Sequence, residues 1–159
     1  MKLHAPALLL MSFWFFQSPT SQAHEVRIED PCLPGSALKT LDVPPKSEPS
    51  QKETAGSVTL EALGRSGLPF KASEAGVQSI ANTPESLESI EFETESVFRI
   101  HGWCYEVDGV QPGLMPGEFK LPAGPHSIRW FFGYARYRDG NWEGYCETDR
   151  TLSSYCQSL

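Results

Sequence analysis

The chain has no close pair of cysteines, no phosphate-cradling glycine loop, no EF-hand loop and no nucleophile elbow. Each absence removes a class of chemistry. Zinc sites draw thiolates from pairs of the Cys-x-x-Cys kind, and Cys32, Cys104, Cys146 and Cys156 are spaced otherwise. Phosphate and calcium loops need glycine and carboxylate motifs that are missing here. Gly64-Arg65-Ser66-Gly67 reads as a helix end, so a Ser–His–acid hydrolase lacks the strained turn that its nucleophile requires. Positive charge is also scarce. Thirteen Lys and Arg stand against 20 Asp and Glu, a net charge of −7. Nucleic acid and anionic membrane surfaces repel such a chain. No internal repeat is present. The expectation is a chain without catalytic residues, metal or cofactor.

Only one stretch is strongly apolar. Met1-Lys2-Leu3-His4 carries one firm positive charge. Ala7 to Phe16 follows, broken only by Ser12, and Ser21-Gln22-Ala23 places small residues at the −3 and −1 positions of a cleavage site. This three-part pattern predicts a cleaved secretory signal over residues 1–23. Its apolar part is shorter than the roughly 20 residues that span a bilayer. His24–Leu159 would then be a secreted or periplasmic monomer without a membrane span. Four cysteines in an exported chain predict two disulfides. Three connectivities are open. The favoured one joins Cys104 to Cys146 within a β core and Cys32 to Cys156 across the tails.

Residues 24–30 alternate polar and apolar and predict a half-buried strand. Leu38–Val43 is a weaker strand candidate. Residues 44–56, rich in Pro, Ser, Lys and Glu, read as a flexible loop, which closes an N-terminal region of residues 24–56. Ser57 is placed to cap a helix over Val58–Leu63, with Gly64 and Gly67 as its stop. A strand is expected at Gly76–Ile80, and a helical turn at Thr83-Pro84-Glu85 with Thr83 as cap. Glu91, Glu93 and Glu95, two apart, predict a solvated strand face.

Val97–Val107 shifts its apolar phase between Ile100 and Trp103, and a β-bulge at Gly102 would restore it. Asp108-Gly109 and Asp139-Gly140 are hairpin-type turns. Phe119–Leu121 is a short strand. His126–Tyr137 is the longest, with Ile128, Trp130, Phe132 and Tyr134 on one side. Trp142 and Tyr145 fall on the returning strand, and the tail 147–159 is irregular until Cys156.

Gly102-Trp103-Cys104-Tyr105-Glu106-Val107-Asp108-Gly109 resembles the Trp-x-Tyr-x-Val-Asn/Asp-Gly element of the transcobalamin C-terminal-like domain family. Ser57–Leu63 resembles its capped helix. Phe119–Trp130 resembles its closing strand, with Pro125 in place of the usual acid. The resemblance covers about residues 57–137, and the domain it suggests runs over 57–146, with 147–159 as a tail tied by a disulfide. It implies an α+β, mostly β fold of the β-grasp-like kind, a mixed sheet packed on one short helix. It also implies a non-enzymatic binding module for a soluble ligand, cobalamin-like or otherwise ring-bearing.

Aromatic residues crowd the segment from Trp103 to Tyr145. Neighbours in Trp130-Phe131-Phe132 point to opposite faces of a sheet, so one face can fill the core while the other can expose rings. Trp103, Tyr105, Trp130 and Tyr134 are the candidate ligand-binding residues. The alternative is an interaction or structural protein of the cell envelope that applies an aromatic sheet face to a protein or glycan. A third reading binds copper: cleavage would make His24 N-terminal, and its amine and ring could join His101 or His126.

Overall fold

The computed structural model describes residues 23–46 and 53–158. The apolar stretch and most of the cleavage site (residues 1–22) and the middle of the Pro/Ser-rich loop (47–52) lie outside the described residues. No described helix is long and apolar enough to cross a membrane.

The chain is mostly β. In order it forms β1 (His24–Asp30), β2 (Leu33–Val43), α1 (Ala55–Ser66), β3 (Phe70–Ser73), β4 (Gly76–Ile80), a 3-10 turn (Ser86–Ser89), β5 (Ile90–Thr94), β6 (Val97–Val107), β7 (Ser127–Arg138), β8 (Asn141–Glu147) and the short α2 (Ser153–Cys156). Among the described residues, six strands make one curled mixed sheet in the order β2-β1-β7-β6-β5, with β8 also paired to β7. β3 and β4 form a separate hairpin. β1 runs parallel to the first part of β7, Glu25 opposite Ser127 through Ile28 opposite Trp130, and β8 pairs antiparallel with the last part.

The β6–β7 ladder fixes everything else. Its register is unbroken from Val97 opposite Arg138 to Val107 opposite Ile128. The expected bulge at Gly102 is therefore absent. The phase shift has another cause: both faces of β6 are apolar, with Ile100 on one and Trp103 on the other. On the inner face, Val26, Ile28, Tyr105, Val107, Ile128 and Trp130 are buried, as are Ala55, Val58, Ala62 and Leu63 of α1. Each fully buried aliphatic side chain contributes roughly 1.5–3 kcal/mol. Trp130 Nε1 donates to Thr59 Oγ1 at 2.9 Å, and the Thr59 hydroxyl donates to the Ala55 carbonyl at 2.7 Å, so no buried polar atom is orphaned there.

α1 begins earlier than its sequence predicts. Thr54, not Ser57, is the N-cap: the Ser57 N–H donates to Thr54 Oγ1, and the Thr54 N–H donates to Ser57 Oγ, each at 3.0 Å. Serine replaces the usual Glu or Gln in this capping box. Ala55 and Gly56 thereby join the helix. Gly56 is required for packing, because a Cβ there would lie 2.2 Å from the Glu74 carbonyl oxygen. Gly67, at φ 75°, caps the C-terminus.

β2 is longer than expected and starts at Leu33, and β3 forms where no strand is expected. The helical turn lies at Ser86–Ser89 with Glu85 as its N-cap; the Thr83 hydroxyl instead serves Trp103 and Ile80. Asp108 and Gly109 make the expected tight turn, both at positive φ, closed by paired bonds between Val107 and Val110. Phe119–Leu121 is not a strand: Lys120 makes only an isolated bridge, to Thr54. The tail is not irregular throughout. Leu152 and Tyr155 pack on Phe132 in a third apolar cluster beside the Cys32–Cys156 disulfide. The second disulfide joins Cys104 and Cys146.

The glutamate face is not simply solvated. Glu91 and Glu93 meet Arg99, Glu93 also meets Arg136, and Arg99 is buried. The Arg136 hydrogen bond holds the Glu93 carboxyl below its ordinary range. Glu95 lies outside β5, in the turn before β6.

Candidate functional site

The four aromatic residues singled out from the sequence all sit on the inner face. Trp130 is 1% exposed and stacks on Tyr105 at 5.3 Å; Tyr105 is 7% exposed and donates its hydroxyl to the Leu114 carbonyl at 2.7 Å. Trp103 is half-buried, with Nε1 donating to Thr83 Oγ1 at 2.8 Å. Tyr134 is 8% exposed and donates to Asp149 Oδ1 at 2.5 Å. Every polar handle of this set is thus engaged within the protein.

His24 is buried at the start of β1. Its Nε2 lies 3.2 Å from Glu53 Oε2, and its Nδ1 accepts the His126 N–H at 3.2 Å. The His126 ring stacks on it at 5.7 Å and bonds Asp108 and the Pro122 carbonyl. A copper ion at His24 would have to displace these partners. His101 lies elsewhere on the inner face, 5.9 Å from the Phe132 ring and 5.5 Å from that of Tyr134. Among the described residues, no group of three or more His, Cys, Asp or Glu could hold a metal ion.

The outer face of the same strands is different. The ladder turns Phe98, Ile100, Gly102 and Cys104 of β6 outward, with Gly133, Ala135 and Tyr137 of β7. β8 bulges over this face, with Gly144 and Cys146 at positive φ and a register shift opposite Tyr134–Arg136. The crossing needs a glycine beneath it: a Cβ on Gly133 would lie 3.0 Å from both the Cys146 carbonyl carbon and the Glu147 oxygen. Cys146 so reaches Cys104.

The result is a trough of about 300 Å³. Gly102, Gly133 and Ala135 supply small residues to its floor, and Trp142 and Tyr145 stand at its sides, 45% and 67% exposed. Trp142 is braced edge-on against Phe98 and Tyr137, whose rings stack at 4.8 Å. A second hollow of about 280 Å³ shares Trp103, Cys104 and Cys146 with the first and continues to Tyr105, Trp130, Leu114 and Met115. The four sequence-predicted residues therefore contribute to the walls of one hollow or the other, though mostly from beneath.

No Asp, Glu, Lys or Arg lines either hollow among the described residues. Three lining groups are shifted toward their neutral forms. Burial holds His101 below its ordinary range, outweighing Glu91. Burial pushes Tyr105 up, helped by Glu118, and pushes Tyr134 up, helped by the Asp149 bond. The sulfurs are oxidised. Such a lining suits van der Waals and ring contacts. Outer-face charge is gathered at the far end, where Arg129 binds Glu29 at 2.8 and 2.9 Å and Glu106 at 2.9 Å. Burial pushes the Glu29 carboxyl up, but Arg129, the Gly35 N–H and Arg27 outweigh it and hold it low.

Trp142, Tyr145, Gly102, Gly133, Leu114 and Met115 were missed as site residues. One signal was available: Gly102 and the Gly133-x-Ala135 pair are small residues at strand positions where the sheet would otherwise carry bulk. No family model, no curated protein and no solved structure matches this chain.

Proposed function

We propose that the protein is an exported, monomeric, non-enzymatic module that binds a soluble, ring-bearing ligand against the outer face of its sheet. The observation that carries this reading is the small-residue trough of Gly102, Gly133 and Ala135 beneath Trp142 and Tyr145. A Cβ on Gly102 would meet nothing within 4 Å, so a flat ring can approach the backbone there, and the two exposed aromatic side chains offer it faces and edges. The volume is at the lower end of the roughly 300–1,000 Å³ typical of ligand pockets.

The topology supports a β-grasp-like reading of the transcobalamin C-terminal-like type. A β1–β2 hairpin precedes α1, α1 packs on the inner face, and β1 lies parallel to β7 near the middle of the sheet. A corrinoid is too large for either hollow to enclose; one edge of it could enter the trough. The second reading, an envelope protein that docks a protein or glycan, draws on Phe92, 67% exposed beside Phe98 at the end of the same face.

Native mass spectrometry on the protein from its own exported fraction tests the choice. A stoichiometric small-molecule adduct that is lost in Tyr145→Ala supports the ligand module. A second protein attached through the same face, with no small adduct, supports the docking reading instead. Added cyanocobalamin that quenches tryptophan fluorescence saturably in the wild-type chain but not in Trp142→Phe would identify a corrinoid.

A further inference from the structure

We infer that the two hollows form one bipartite site, and that it takes a single elongated, uncharged apolar ligand that straddles the Cys104–Cys146 disulfide. The inference rests on the proposed binding reading and specifies its ligand class.

Adjacency comes first. The hollows share Trp103, Cys104 and Cys146, so the disulfide lies in the wall common to both. Each has room for one compact ring system, about 300 Å³ on one side and about 280 Å³ on the other. A ligand with two such groups on a short connection matches both volumes at once.

Charge selects the class. The chain is 21% charged, yet neither hollow has a charged residue in its walls. An ionised ligand entering there would lose water and gain no counter-charge. Two of the donors in the walls, the Trp103 indole N–H and the Tyr105 hydroxyl, are already committed to Thr83 and Leu114. On the far side, Leu114 and Met115 are 54% and 60% exposed beside that same hydroxyl. Methionine adapts its shape to an apolar occupant.

Gly102 supplies the means of testing. A Cβ there would meet nothing within 4 Å, and its backbone is ordinary strand, so Gly102→Val fills the trough without a clash in the fold. Met115→Glu, on an exposed side chain, places a charge in the other hollow. The probes are N-phenyl-1-naphthylamine and 8-anilinonaphthalene-1-sulfonate, which share two joined ring systems and differ by one sulfonate.

Fluorescence titration of the full chain should give saturable binding of one N-phenyl-1-naphthylamine per protein, with the sulfonate at least tenfold weaker. Either substitution alone should weaken the uncharged probe tenfold or more, with near-ultraviolet circular dichroism unchanged. Two bound probes, each lost in a different variant, would overturn the bipartite site. Equal or tighter binding of the sulfonate would overturn the uncharged class. If neither probe binds the wild-type chain, the underlying ligand-binding reading falls with it.

Discussion

The β6–β7 pair has two apolar faces that share one backbone and one register, and they behave differently. The inner face carries large side chains, Trp103, Tyr105, Trp130 and Phe132, and meets α1 and the tail. The outer face carries Gly102, Gly133 and Ala135 at its centre and is overlaid only locally by the β8 bulge. Hydrophobicity alone does not separate a core from a contact surface. At the centre of the ladder side-chain size does: bulk on the inner face meets complementary bulk, while Gly102, Gly133 and Ala135 on the outer face leave space that exposed aromatic residues border.

The sharpest way to break this comparison is to remove bulk from the inner face. Trp130→Ala should lower stability by about 3–5 kcal/mol in chemical denaturation. A loss below about 1 kcal/mol would mean that the packing under α1 is not the main core. Adding bulk where the inner layer is tightest comes next. Gly56→Ala sets a Cβ against the Glu74 carbonyl and should cost about 1–3 kcal/mol; an unchanged midpoint would show that the β3–β4 turn yields freely.

A smaller effect concerns pH. His101 is buried on the inner face beside Glu91 and Arg99, with the Tyr134 ring against it, and neither ring nitrogen has a hydrogen-bond partner among the described residues. Burial keeps its pKa below the ordinary value, so the unfolded chain takes up a proton before the folded one does. Stability should therefore fall as pH drops below about 6.5, and continue to fall until the folded value is passed. His101→Phe should flatten that part of the profile; an identical slope would assign it to other groups. The smallest effect belongs to the outer face. Tyr145→Ala should shift stability by no more than about 0.5 kcal/mol while abolishing binding. A large loss of stability would make Tyr145 part of the core instead.

Much of the scaffold was legible from local chemistry. β1 and β4 have the expected bounds, the Asp-Gly turns fall where turn chemistry puts them, and the cysteine pairing is the favoured one. The misses share a cause. Ser57 was read as a cap because a cap is recognised locally, but Thr54 wins because the helix gains a turn by seating Gly56 against Glu74. Gly102 read as a bulge because one apolar face was assumed. The four candidate aromatics stand out by their crowding on adjacent strands and, for Trp103 and Tyr105, by the turn beside them, yet the inner face buries most of this set. The small residues opposite them define the trough, and they say little until two strands are in register.

The Cys32–Cys156 bond joins positions 124 residues apart, near both ends of the described chain. A protease that nicks the backbone once, anywhere between those two cysteines, would leave a single covalent molecule. The halves would separate on a gel only after reduction, and until then reassociation would be unimolecular and independent of dilution. The Pro/Ser-rich connection between β2 and α1 falls inside that closed loop.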